Sequence, residues 1–298
     1  MLSDDLHADA RALLPGRTTE AGATRRVALQ AALGLGYAAA AAPIMAQTAI
    51  ATPGDGLTAG TVSFTVNGFN VPAYRAAPAG KTGLPVVLVI QEIFGVHEYI
   101  ADTCRRFARE GYLAIAPQMY ARQGDPAQYT EVARLMAEVV SKVPDAQVMA
   151  DLDGAVQWAT ANGGDAARIG ITGFCWGGRI TWLYAAHGPV KAGVAWYGRL
   201  VGQASDLTPK HPVEIAPILK APVLGLYGEK DTGIPLDTVD KMKAALASGS
   251  PQARASEFVV YPDAPHAFHA DYRASYRKEA ADDGWKRALA WFSKHGVA

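Results

Sequence analysis

Cys175, Asp231 and His266, in that order along the chain, are the residues best placed to do chemistry. Cys175 lies in Gly173-Phe174-Cys175-Trp176-Gly177-Gly178, between an apolar run at 168–172 and a segment with helical spacing that begins at Trp176. A strand, a sharp turn and a helix expose a nucleophile at the top of a sheet, and small residues two before and two after it let the two backbones pass closely. The first N–H groups of the helix and its dipole would stabilise a thiolate. The N–H of Trp176 would face the oxyanion formed when sulfur attacks a carbonyl. Asp231 follows the apolar run 223–227 in Gly228-Glu229-Lys230-Asp231, and His266 follows the run 257–261 in Asp263-Ala264-Pro265-His266. The imidazole would be base or ion-pair partner for the thiol, and Asp231 would fix its tautomer. The structural alternative is a buried cysteine in a glycine-rich turn. Glu229, Asp237 and Asp263 are the competing acids and His269 the competing histidine, each read as a solvated loop residue. Three residue types in one order, each just past a strand, favour a catalytic triad.

The elements that must position these residues alternate. Segments 61–66 and 69–74 alternate apolar and polar around Asn67-Gly68, which predicts a hairpin with a primed turn. Apolar runs at 86–90, 112–116, 168–172, 193–197, 223–227 and 257–261 read as strands buried on both faces. Helical spacing covers 100–109, 131–142, 146–161, 176–186, 236–247 and 276–294, with Asp145 as an N-cap. Strands alternating with helices give an α/β fold: a mainly parallel, doubly wound sheet with an antiparallel hairpin at its start.

The 298 residues suffice for one large core, and a single domain is expected over 60–298. With 28 basic and 28 acidic side chains the net charge is zero, and no concentrated positive face for nucleic acid is expected. Two cysteines, Cys104 and Cys175, make no disulfide framework, and no CxxC or His/Cys cluster points to zinc. Cys104 reads as a small buried hydrophobe with a free thiol. Residues 1–46 read as a twin-arginine-like export signal. Arg25-Arg26 precede an Ala/Gly-rich stretch at 31–42, Ile44-Met45-Ala46 supply a cleavage pattern, and no acidic residue occurs from 21 to 54. A periplasmic or secreted location follows, with no stable membrane anchor, and the protein is expected as a monomer or small homo-oligomer.

Gln91-Glu92-Ile93-Phe94-Gly95 after the first parallel strand, Tyr120-Ala121-Arg122-Gln123 after the second, the 173–178 turn and the His266 loop together resemble the dienelactone hydrolase family, the carboxymethylenebutenolidases. The likeness runs from Gly60 to the C-terminus. It implies an α/β-hydrolase fold without a large cap and the opening of a cyclic enol lactone through a thioester, with no metal or organic cofactor. It also implies that Glu92 contacts the resting thiol, that the N–H of Ile93 is the second oxyanion donor, and that Arg122 grips the substrate carboxylate. Glu92 as a cap of the next helix and Arg122 in a structural salt bridge are the rival readings. His97 is read as a helix-start histidine with a local hydrogen bond, and otherwise as part of the rim. Phe94, Tyr197 and Phe268, with Trp176 and Trp196, either wall an apolar substrate pocket or belong to the core. Ala270 stands where the family type carries a second arginine, and Tyr272 and Arg273 are the candidates to replace it. A general carboxylesterase, a thioesterase and a non-catalytic small-molecule binding protein are the competing functions.

Overall fold

The computed structural model describes residues 49–298, so the export reading of residues 1–46 lies outside the described residues. Strands β1 (Leu57–Val66) and β2 (Phe69–Pro78) form the expected hairpin, longer than the alternating segments themselves. Asn67 and Gly68 both have positive φ, 50° and 79°, the requirement of a type I′ turn whose twist matches the strands. The remaining strands are β3 (Leu84–Ile90), β4 (Leu113–Pro117), β5 (Gly164–Phe174), β6 (Ala192–Trp196), β7 (Val223–Gly228) and β8 (Glu257–Tyr261). Their order across one sheet is β1-β2-β4-β3-β5-β6-β7-β8, antiparallel through β1, β2 and β4 and parallel from β4 onward.

Helices cover both faces, which is why the parallel strands read as unbroken apolar runs; Val86, Val87, Leu88, Val89 and Ile90 are all fully buried. Each such side chain contributes about 1.5–3 kcal/mol of burial. On one face lie α1 (Glu98–Arg109) and the C-terminal helix Lys278–Lys294, which meet through Phe107 and Trp285 with ring centroids 4.5 Å apart. On the other lie α3 (Asp145–Ala161) and α4 (Trp176–His187), in contact with each other, and the short α2 (Val132–Glu138) precedes them in the chain. The short α5 (Pro212–Ile215), α6 (Leu236–Ala247) and the short α7 (Pro251–Arg254) complete the chain before the C-terminal helix, α8. The mainly parallel sheet is what the alternation implied, and the whole is the α/β-hydrolase architecture that the family resemblance implied.

Local departures have physical causes. Asp145 does not cap α3: Pro144 occupies the cap, and Asp145 begins the helix with both carboxylate oxygens 2.7 Å from Arg179. An acid in the first turn still complements the dipole. The predicted helix 131–142 breaks at Val139, whose φ of −120° leaves a short 3₁₀ turn beyond it. α8 starts two residues later than predicted because Arg277 is extended, donating its N–H to Phe268 O at 2.9 Å. That bond ties the helix start to the loop that carries His266. Among the described residues no helix is long and apolar enough to cross a membrane.

Candidate active site

The C-terminal edge of the parallel sheet collects Glu92 after β3, Cys175 after β5, Asp231 after β7 and His266 after β8. Cys175 is the N-cap of α4 and has φ 56°, ψ −114°, a strained conformation for a residue with a side chain. Such strain costs about 1–3 kcal/mol and persists only where the surroundings enforce it. Here they do. The Cys175 N–H donates to Trp196 O at 3.0 Å, and the N–H of Gly178 returns to Cys175 O at 2.9 Å. The small residues around the turn are sterically required: a Cβ on Gly173 would stand 2.1 Å from Gly177 O, and one on Gly177 2.4 Å from Ile90 O. The same close approach brings the first turn of α4 against the backbone of Ile90 and Gln91. As the first residue of α4, Trp176 has an N–H without an intrahelical acceptor.

His266 Nδ1 lies 2.7 Å from Asp231 Oδ2, with both side chains buried. Asp231 is itself oriented by the N–H of Gly233 on its Oδ1 at 2.9 Å. With Nδ1 committed, Nε2 is left for the sulfur. Burial alone would lower the pKa of His266, but the charges of Asp231 and Cys175 and their hydrogen bonds raise it well above the usual value. The imidazolium is thus the favoured form beside the sulfur. The competing acids Glu229, Asp237 and Asp263 are exposed, as expected. His269 differs from expectation. It is 2 % exposed, bonded through Nδ1 to the Tyr99 hydroxyl at 2.6 Å and stacked on Phe174. Burial and nearby Arg106 hold its pKa down at about 3, so it is a neutral core histidine. It faces a cavity of about 350 Å³ beside α1 and α8 that none of Cys175, Asp231 or His266 lines.

Glu92 is fully buried and ionised. Burial would raise its pKa, yet His97, Arg273 and Tyr272 bring it down to about 2. The Tyr272 hydroxyl donates to Oε2 at 2.7 Å, and His97 Nε2 stands 3.5 Å from the same oxygen. His97 is the N-cap of α1 but makes no side-chain capping bond, so its role is on Glu92 and not local. Arg273 Nε donates to the Tyr272 hydroxyl at 3.1 Å, and its guanidinium lies 4.8 Å from the centre of the Phe94 ring. Residue spacing carries no signal that joins this cluster, because Tyr272 and Arg273 belong to no periodic element; in sequence they are only candidates to replace the missing arginine. Since the folded pKa lies below the ordinary 4.5, Glu92 adds stability that is present above pH 4.5 and lost as pH falls toward 2. Urea denaturation of Glu92→Gln is expected to lack roughly 3 kcal/mol of that acid-dependent loss.

Arg122 is not at this cluster. Its fork pairs with Asp151 at 2.5 and 2.9 Å, and the guanidinium covers the Phe69 ring at 4.4 Å. The salt bridge, the rival reading, is what the geometry favours. Burial pushes Asp151 up while Arg122 works against it. Arg122→Ala should leave a buried carboxylate without its cation and lower stability by roughly 3 kcal/mol, with equal effects on charged and neutral substrates. Thermal unfolding and paired kinetics check this. Tyr197 and Phe268 are core-buried yet adjoin His266: the Tyr197 ring stands edge-on to His266 at 5.2 Å, and Phe268 packs on Tyr197 at 5.3 Å. Trp176 packs edge-on to Tyr120 at 5.0 Å. Cys104 is a fully buried free thiol in α1 whose pKa burial pushes up, and Cys175 is likewise in no disulfide.

With this geometry the sequence was compared with known proteins. The pattern of the dienelactone hydrolase family matches residues 71–296. The chain belongs to the dienelactone hydrolase family. A Methylorubrum extorquens protein, provisionally named a carboxymethylenebutenolidase, is 59% identical over 277 residues, 92% of this chain and 94% of its own length. An Escherichia coli K12 protein with the same provisional name is 56% identical over 263 residues, 88% of this chain and 96% of its own. The crystal structure of a Klebsiella pneumoniae protein, provisionally named a dienelactone hydrolase, superposes with a TM-score of 0.78 at 60% identity. It covers 80% of this chain and 99% of the other. As a member of the dienelactone hydrolase family, the chain is a carboxylic ester hydrolase.

Proposed function

We propose that the protein opens a carboxylated lactone by nucleophilic attack of Cys175 through a thioester. The observation that carries this reading is the strained φ of 56° at Cys175 at the head of α4, combined with the buried Asp231–His266 pair behind it. The sulfur attacks the lactone carbonyl, and the oxygen that gains charge is received by the N–H groups of Trp176 and Ile93. Collapse re-forms the carbonyl and breaks the ring C–O bond. The ring oxygen leaves with the proton from His266 Nε2, and the acyl group stays on sulfur. Water then attacks the thioester, gives a proton to His266, and expels the thiolate beside the imidazolium. Glu92, held by Tyr272 and His97, serves as the fixed negative charge under the site, and the nearby cation Arg273 is the proposed partner of a substrate carboxylate. Phe94 would line the same rim.

The test is kcat/KM for a carboxylated lactone and for its methyl ester, in wild type and in Arg273→Ala. Losing one charge-assisted contact of about 1.5–3 kcal/mol predicts a ten- to hundredfold loss on the acid and little change on the ester. Equal losses on both would remove the carboxylate from the substrate description and leave a small-ester or thioester hydrolase. That second reading has support in Ala270 and in the pairing of Arg122 with Asp151. We also propose export through residues 1–46, checked by locating the mature N-terminus in periplasmic protein.

A further inference from the structure

Tyr197, just past the end of β6, has φ 39° although it carries a bulky ring, and it is fully buried. Its N–H donates to Leu226 O at 2.8 Å, so the neighbouring strand enforces the strained backbone. Strain of this kind gathers where a side chain is being aimed. The ring stands beside His266, and the hydroxyl feels both Glu92 and Cys175 electrostatically. That hydroxyl approaches Tyr99, but the two make no hydrogen bond of ordinary geometry, and the Tyr99 hydroxyl is committed to His269. Glu92 Oε2 is bonded to Tyr272, whereas Glu92 Oε1, fully buried, has no protein hydrogen-bond partner among the described residues. His266 Nε2 partners the Cys175 sulfur in the resting site and is released to take a proton once that sulfur is acylated.

A buried hydroxyl donor, a buried anionic acceptor and a ring nitrogen that can take a proton, all at one sheet edge, match the demands of a single water molecule. We propose that the Tyr197 hydroxyl and Glu92 Oε1 hold the water that hydrolyses the Cys175 thioester, which makes Tyr197 a catalytic residue of the second half-reaction. This rests on the thiol mechanism above. The water accepts a hydrogen bond from Tyr197 and donates one to Glu92 Oε1. Its second proton goes to His266 Nε2 as its remaining lone pair forms the bond to the thioester carbon. The C=O pair moves onto oxygen and returns, the C–S bond breaks, and Cys175 leaves as thiolate beside the imidazolium. The carboxylic acid product then loses its proton to solvent.

The experiment is stopped-flow hydrolysis of p-nitrophenyl acetate by wild type, Tyr197→Phe and Glu92→Gln, with quenched samples analysed by peptide mass mapping and folding checked by thermal unfolding. In Tyr197→Phe the p-nitrophenol burst should keep its rate while the steady state falls roughly ten- to a hundredfold, because a misplaced water slows only the second step. Acetylated Cys175 should accumulate, Glu92→Gln should raise the ratio of burst to steady state in the same direction, and hydroxylamine should restore turnover by replacing the held water. An unchanged steady state, burst and steady-state rates falling together, or no rescue by hydroxylamine would overturn the water site. Complete absence of acetyl on Cys175 in all three proteins would overturn the nucleophile beneath it as well.

Discussion

Cys175→Ala is expected to reduce turnover to background while the far-UV circular dichroism and the urea midpoint stay close to wild type. The expectation follows from placement: the thiol sits at the head of α4, its backbone held by Trp196 O and Gly178 N–H, contacts that alanine keeps. The side chain is small and ends at the reacting atom, so its loss removes chemistry more than packing. Cys175→Ser should retain the turn and the proposed oxyanion donors, yet be far slower, because an imidazole kept protonated beside Asp231 suits a thiolate partner and cannot take a hydroxyl proton near neutral pH. Activity of Cys175→Ala comparable to wild type would end the thiol mechanism.

Asp231→Asn is expected to cost about 10³–10⁴-fold in kcat/KM at neutral pH, the scale seen when a triad histidine loses its orienting carboxylate. The sign with pH follows from what Asp231 does to His266. Its charge and hydrogen bond raise the histidine's pKa against burial, so removing the charge lowers that pKa and depopulates the imidazolium. Alkylation of Cys175 by iodoacetamide at pH 6 should therefore slow in the variant. The deficit should shrink as pH rises and the thiol ionises without help. A mild effect, with Glu229→Gln severe instead, would mean that the acid had been misassigned, although the exposure of Glu229 opposes this.

The gathering of Cys175, Asp231 and His266 at one sheet edge was legible because each depends on local sequence. Gly173 and Gly177 announce a turn in which a Cβ would strike backbone, and the order nucleophile, acid, histidine follows from the succession of strands. The hairpin was legible for the same reason, since Asn67-Gly68 satisfies two positive φ values at once. Contacts between distant segments were not. Glu92 and Tyr272 lie 180 residues apart, and no spacing rule joins them. Arg122 and Asp151 meet because α3 packs under the hairpin, so the choice between substrate grip and salt bridge required coordinates. His269 sits three residues after His266 and looks alike in sequence. It nonetheless turns to the opposite environment, among Tyr99, Phe174 and Trp196, where a charge would be costly.

The most direct measurement of the central claim is peptide mass mapping of the wild-type enzyme quenched with acid during turnover of a slowly deacylating p-nitrophenyl ester. The account predicts one acyl group per chain, on the peptide containing Cys175, removable by hydroxylamine, and absent from His266→Ala quenched at the same time. An acyl group on a serine or on any other residue, or active turnover with Cys175 unmodified at every quench time, would contradict it.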